Sequence, residues 1–259
     1  MSSITPTGNH HQTYAPDEQL LSQYNSVSAG TALGWIGQSW GLFKKDFLIW
    51  IAFAILSFVV MLVLAFIPII GQLITVFLTP VMLAGTAYAA RQVHRGNKLQ
   101  FGDYFQGFKK NFASLLLLAL IQIGAYIALT TFIIILLVIF GFAGFVSFSD
   151  FAQIEANPLG FILGSIAYIL VLALFFILGI LATIMAFVFA PILILLNNVS
   201  AIESIKISFK GCLRNILPGF VFLVLMFFLT ILAIIPLGLG LLILIPIYYI
   251  AVYLAYQQI

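Results

Sequence analysis

Three short stretches of the chain carry apolar residues at helical spacing, and each runs straight into a long apolar segment. In the first, Leu33, Ile36, Trp40, Phe43 and Phe47 recur at intervals of three and four, which puts them on one stripe of a helix. Lys44, Lys45 and Asp46 close that stretch, where a polar face would meet water. Phe101, Phe105, Phe108, Lys109, Lys110, Asn111 and Phe112 repeat the design sixty-five positions on. Ile202, Ile205, Phe209, Cys212, Arg214, Asn215 and Ile216 repeat it one hundred and sixty-nine positions on.

The apolar segments exceed the roughly 18 residues that mark a membrane-spanning helix. Six spans are expected, over about 47–67, 72–90, 113–140, 159–196, 216–235 and 241–256. Pro68-Ile-Ile-Gly71 and Pro236-Leu-Gly-Leu-Gly240 join two pairs of them with no charge between, as tight turns do. The fourth run is too long for a hydrocarbon core of about 30 Å, so it tilts, breaks near Pro191 or extends as a stalk against other protein. Residues 141–158 differ from their surroundings. Phe142, Phe145, Phe148 and Phe151 recur at every third position with Asp150 and Glu155 among them, a pattern expected of a helix lying in the outer interface.

Composition sharpens the class. Hydrophobic residues make up 64% of 259 and charged ones 7%, whereas a soluble domain carries roughly a quarter charged residues. A water-soluble globule is excluded. Residues 1–29 are polar, lack the basic-then-apolar pattern of a signal peptide, and read as a disordered cytoplasmic tail. Residues 30–259 read as a single transmembrane domain. All ten Lys and Arg residues (44, 45, 91, 95, 98, 109, 110, 206, 210 and 214) fall on the side of the six-span arrangement that holds the N-terminus. The positive-inside rule then puts both termini in the cytoplasm.

The rarer matches between the three stretches argue for internal repetition. Lys45, Lys110 and Arg214 correspond, as do Asp46, Asn111 and Asn215, and Trp40, Phe105 and Phe209. A proline then recurs in the second span of each pair, at Pro80, Pro191 and Pro246. The expected fold is all-α: six transmembrane helices as three parallel hairpin repeats, over about 30–97, 98–198 and 199–259, each preceded by a cytoplasmic amphipathic interfacial helix. Gly34-Trp35, Trp40-Gly-Leu-Phe43, Pro68-Ile-Ile-Gly71, Pro80-Val-Met-Leu-Ala-Gly85 and Gln106-Gly-Phe-Lys109 extend the picture. With these motifs the chain resembles a family of uncharacterised bacterial six-span inner-membrane proteins. It is also similar to the membrane domain fused to some bacterial glycerophosphodiester phosphodiesterases. The resemblance implies a bacterial inner-membrane location and this topology. The stretch it covers, about 30–256, contains no soluble phosphodiesterase domain, so that activity is not implied.

Catalytic chemistry finds no foothold. No ionisable residue lies at membrane depth, and no carboxylate pair, Ser/His/Asp set, HExxH or glycine-rich phosphate loop can be assembled. His10 and His11 lack a ligand partner at metal spacing, and the lone Cys212 excludes an internal disulfide and a cysteine zinc cluster. No cofactor is expected. Neutral polar residues remain at depth, chiefly Gln122, Tyr126, Thr130 and Thr183. At the basic side, Lys44, Lys45, Lys109, Lys110, Lys206, Lys210 and Arg214 are candidates to grip anionic lipid headgroups. These features point first to a non-enzymatic membrane protein that organises lipids, membrane-protein partners or copies of itself. The alternative is a channel or transporter for a neutral or amphiphilic solute, which requires the four polar residues to line one shared cavity.

Overall fold

The computed structural model describes residues 25–147 and 157–259. Its helices are α1 (Thr31–Lys45), α2 (Phe47–Ala65), α3 (Ile70–His94), a 3-10 turn (Phe101–Phe105), α4 (Gln106–Lys109), α5 (Phe112–Ser147) and α6 (Pro158–Phe187). They continue with α7 (Ala190–Asn197), α8 (Ala201–Arg214), α9 (Ile216–Ile234) and α10 (Leu241–Gln258). No strand occurs among the described residues. Among the described residues, six helical segments are long and apolar enough to cross a bilayer, with α6 and α7 forming one of them. The chain is a membrane protein.

Polar residues break the chain where the short helices meet the long ones. Asp46 (φ −137°, ψ 41°) separates α1 from α2, and Asn215 (φ −122°, ψ 37°) separates α8 from α9. Asn111 takes a positive φ of 54° ahead of α5, a conformation that asparagine tolerates better than most residues. Each side chain also ties down a distant segment. Asp46 accepts a long 3.4 Å hydrogen bond from the Leu99 N–H. Asn111 donates to the Ile194 carbonyl and to Asn198 Oδ1, both at 2.8 Å. Asn215 accepts from the Val27 N–H at 2.9 Å and donates to the carbonyls of Asn25 and Gly211 at 3.0 Å. Part of the stretch expected as tail, residues 25–29, is thus held to the start of α9. Residues 1–24 lie outside the described part.

α3, α7 and α10 form much of the interior. α3 packs against both α7 and α10. α7 buries Ala190 to Leu195, and α10 buries Ile250 to Ala255. Pro80, Pro191 and Pro246 are all buried. Around this interior, α2 and α9 expose much of their length. α5 buries Leu115, Leu118 and Ala119 near its start, and α6 buries only Phe187 at its end among the described side chains.

The over-long fourth run breaks at Val188–Phe189, just ahead of Pro191. Ser208 of α8 inserts there: its Oγ accepts from the Phe189 N–H at 3.1 Å and donates to the Met185 carbonyl at 2.7 Å. That hydroxyl bridges two groups that a continuous helix would bond directly, a recognised cause of kinks.

Three expectations change in detail. The third expected span agrees with the apolar segment Phe112–Ile139, and its helix continues to Ser147, 36 residues or about 54 Å at the helical rise. A separate interfacial helix therefore does not begin at Gly141, and Phe148 and Phe151 lie outside the described residues. The second short stretch is not one helix but a 3-10 turn followed by the four-residue α4. Close packing explains it: a Cβ at Gly85 would overlap the Tyr104 carbonyl, and one at Gly107 would meet the Val81 carbonyl at 2.6 Å. The third change concerns the apolar stripes. In α1 the buried residues are Ala32, Trp35, Ser39, Leu42 and Phe43, while Leu33 and Trp40 face outward, as does Phe47 at the start of α2. In α8 they are Ala201, Ser204, Ile207, Ser208 and Gly211, while Ile202 faces outward. Small residues let a helix approach its neighbour closely, and large apolar ones lose nothing by facing lipid.

Candidate functional site

Pro80, Pro191 and the break between α6 and α7 border a half-open cavity of about 560 Å³ among α3, α5, α6, α7 and α10. That volume lies within the usual range for small-molecule sites. Thr79, Pro80 and Leu83 contribute from α3, Thr183 and Phe187 from α6, Pro191 from α7, and Tyr248, Tyr249 and Val252 from α10. Gln122, Tyr126 and Thr130 contribute from α5. All four polar residues singled out at depth therefore line one cavity. Gln122 stands ten residues into α5 from Phe112, about 15 Å along its axis.

The chemistry of the wall is sparse and specific. Gln122 and Tyr126, one turn apart, are hydrogen-bonded at 2.8 Å. Gln122 is thus tied within α5 and does not bridge helices. Whichever way its amide is turned, the pair keeps both donor and acceptor capacity for an occupant. Thr183 is satisfied by the Gly179 carbonyl at 2.9 Å, and Thr79 by the Thr75 carbonyl at 2.7 Å. Most of the remaining wall is aliphatic, aromatic or proline. A smaller cavity of about 310 Å³ lies between α9 and α10 and shares Tyr248 and Tyr249 with the first. The two tyrosines follow Pro246 in sequence, but their apolar setting gave no signal of a cavity.

The basic residues do not converge on this cavity. Lys44, Lys45, Lys109, Lys110, Lys206, Lys210 and Arg214 are all exposed. Lys206 pairs with Glu203 at 3.3 Å, Lys44 lies 5.9 Å from the Trp40 ring, and Lys110 lies 5.8 Å from the Tyr88 ring. Hydrogen bonds gather the helix ends near them: Trp35 Nε1 donates to Gln258 at 2.8 Å, His94 Nδ1 lies 3.4 Å from the Tyr253 hydroxyl, and Tyr256 bonds Asn197. Among the described residues, no three His, Cys, Asp or Glu side chains gather to hold a metal. Burial pushes the Cys212 thiol up to about 12, which keeps it protonated and unreactive at neutral pH. Burial, aided by the Asp103 and Asp46 charges, also raises the Tyr104 hydroxyl above its ordinary range.

A family described as a domain of unknown function, DUF7847, matches residues 64–258. The chain belongs to the DUF7847 family. The match begins in the last turn of α2 and takes in every residue that lines the larger cavity. The cavity is therefore built wholly from the DUF7847 region, whereas α1 and most of α2 precede it. No curated protein and no solved structure matches the chain.

Proposed function

We propose that this protein binds a neutral or amphiphilic molecule at membrane depth and carries or presents it without chemical conversion. The observation that carries the reading is the cavity, in which one hydrogen-bonding pair, Gln122 and Tyr126, stands in an otherwise largely apolar wall. Such a wall favours an apolar body, and the pair orients one polar group on it. No cofactor is called for. Basic helix ends would face the cytoplasm of a bacterial cell, and the cavity would lie within its inner membrane.

The same reading takes the chain as three parallel hairpin units. Support comes from the hinge residues, each of which binds the chain at or near a unit boundary. Asp46 of the first binds Leu99 at the start of the second, and Asn111 of the second binds Asn198 ahead of the third. Asn215 of the third binds Asn25 and Val27 ahead of the first. Buried residues keep the same register, with Ser39, Tyr104 and Ser208 at one position and Leu42, Gly107 and Gly211 at another. The outer turns agree as well: Ile69 and Leu237, each directly after a proline, have φ of 63° and 55°.

A second reading, in which the protein organises partner proteins, draws on the exposed apolar length of α5 and α6. Extraction of the chain from native membranes in mild detergent, with intact-mass measurement, separates the two. The binding reading expects one amphiphile per chain, lost in a Q122A/Y126A double variant. A stoichiometric protein partner and an empty cavity would favour the organising role.

A further inference from the structure

We propose that Arg91, Lys110 and Tyr88 form a phosphate-binding site at the basic end, separate from the cavity. The Arg91 guanidinium carbon lies 5.1 Å from the Tyr88 ring centroid, and Lys110 Nζ lies 5.8 Å from the same centroid. Tyr88 is a fixed platform, packed against the buried cluster of Val81, Ala84, Leu115 and Leu118. Two cations drawn to one ring repel each other, and the ring's quadrupole offsets only part of that repulsion.

No described carboxylate neutralises them. Asp46 is hydrogen-bonded to Leu99, Asp103 to Gln100, and Glu203 to Lys206. Arg91 Nε is buried with no hydrogen-bond partner. A buried charged donor without an acceptor is uncommon and calls for an explanation, of which an ordered water or anion beside the guanidinium is one. An arginine fork matches two phosphate oxygens, while a lysine on a separate element adds a point charge from another side.

Tyr88 and Arg91 occupy the last two turns of α3, and Lys110 stands just before α5. This is the level at which apolar helices end, where lipid phosphates lie. The same chemistry would take a phospholipid headgroup or a soluble phosphate compound. Of the seven basic residues considered for headgroup contact, Lys110 belongs to this site. Arg91, half-buried and outside that set, supplies its other half.

The test uses the full chain in phosphatidylcholine nanodiscs containing phosphatidylglycerol. Retained lipid is counted by native mass spectrometry after detergent transfer, and inorganic phosphate is titrated calorimetrically in parallel. Retention of phosphatidylglycerol that falls about tenfold in R91Q and in K110Q, but not in K44Q, supports the site with a lipid source. Binding of inorganic phosphate with the same dependence, without retained lipid, supports it with a soluble source. K110Q alters an exposed side chain and keeps the test valid even where R91Q lowers the unfolding midpoint. Wild-type behaviour of K110Q in both assays, an equal loss in K44Q, or no binding by the wild type would overturn the proposal.

Discussion

α6 and α10 are both apolar helices of membrane-crossing length, yet they use that apolarity in opposite ways. α10 is the less hydrophobic of the two, and half of its most apolar window is buried in protein; none of α6's is. In water the greasier helix would seek the core. Here the solvent for both is hydrocarbon, so large aliphatic side chains gain nothing by packing on protein. Close fit and polar satisfaction decide instead. α10 brings Ala251 and Ala255 to the interior and ends in Tyr253, Tyr256 and Gln258, which bond His94, Asn197 and Trp35. α6 offers Leu, Ile and Phe outward, pairs with α5 on its inner side, and is held at its end by Ser208 of α8.

The contrast predicts where substitutions hurt, and the sharpest tests lie at the basic end. Asn215→Leu keeps the volume but orphans the Val27 N–H and the Asn25 carbonyl. It should cost about 3 kcal/mol, read as a lower unfolding midpoint in detergent. Gly85→Ala drives a methyl into the Tyr104 carbonyl and should cost about 1–3 kcal/mol by the same assay. Ser208→Ala removes the bridge between the Phe189 N–H and the Met185 carbonyl. The expected loss is about 1–2 kcal/mol, and spin labels on α6 and α7 should report a broadened angle between them.

Weaker effects sharpen the other side of the comparison. The neutral Cys212 thiol is favoured in the fold, with its pKa raised from 9.0 to about 12. Its contribution is complete below the unfolded value and is lost as pH rises from 9.0 toward 12. Maleimide labelling at neutral pH should accordingly be slow in the folded chain and fast after denaturation. Ile169→Ala on the exposed face of α6 should change stability by less than about 0.5 kcal/mol. A loss as large as that of Asn215→Leu would mean that the outward face of α6 also packs on protein.

Much of this organisation was legible in the sequence, and the failures are instructive. Apolar length identified the spans, because a bilayer demands it whatever the packing. The correspondence of Asp46, Asn111 and Asn215 marked the joints between short and long helices, since each leaves helical geometry and binds across the fold. The stripes alone did not say which of their residues meet protein: Leu33 and Trp40 face outward while Phe43 is buried beside Ala32 and Ser39. In a membrane hydrophobicity alone does not decide burial. Gln122, Tyr126, Thr130 and Thr183 were visible as polar residues among apolar ones, and they meet in one cavity. Tyr248 and Tyr249 were not singled out, for tyrosine in a span is common and only the third dimension places them beside Thr183 and Pro191. Arg91 was read as a topological signal; its orphaned Nε became visible only once Tyr88 was in place.

The most direct test of the binding reading is photo-crosslinking in native membranes from a benzophenone amino acid at position 130, with the same probe at position 166 on the outer face of α6. The account predicts a saturable adduct of one discrete mass at 130, suppressed by Y126A, against a spread of bulk phospholipids at 166. The same bulk phospholipid adducts at both positions would contradict it, and the cavity would then be no more than a lipid-filled gap between helices.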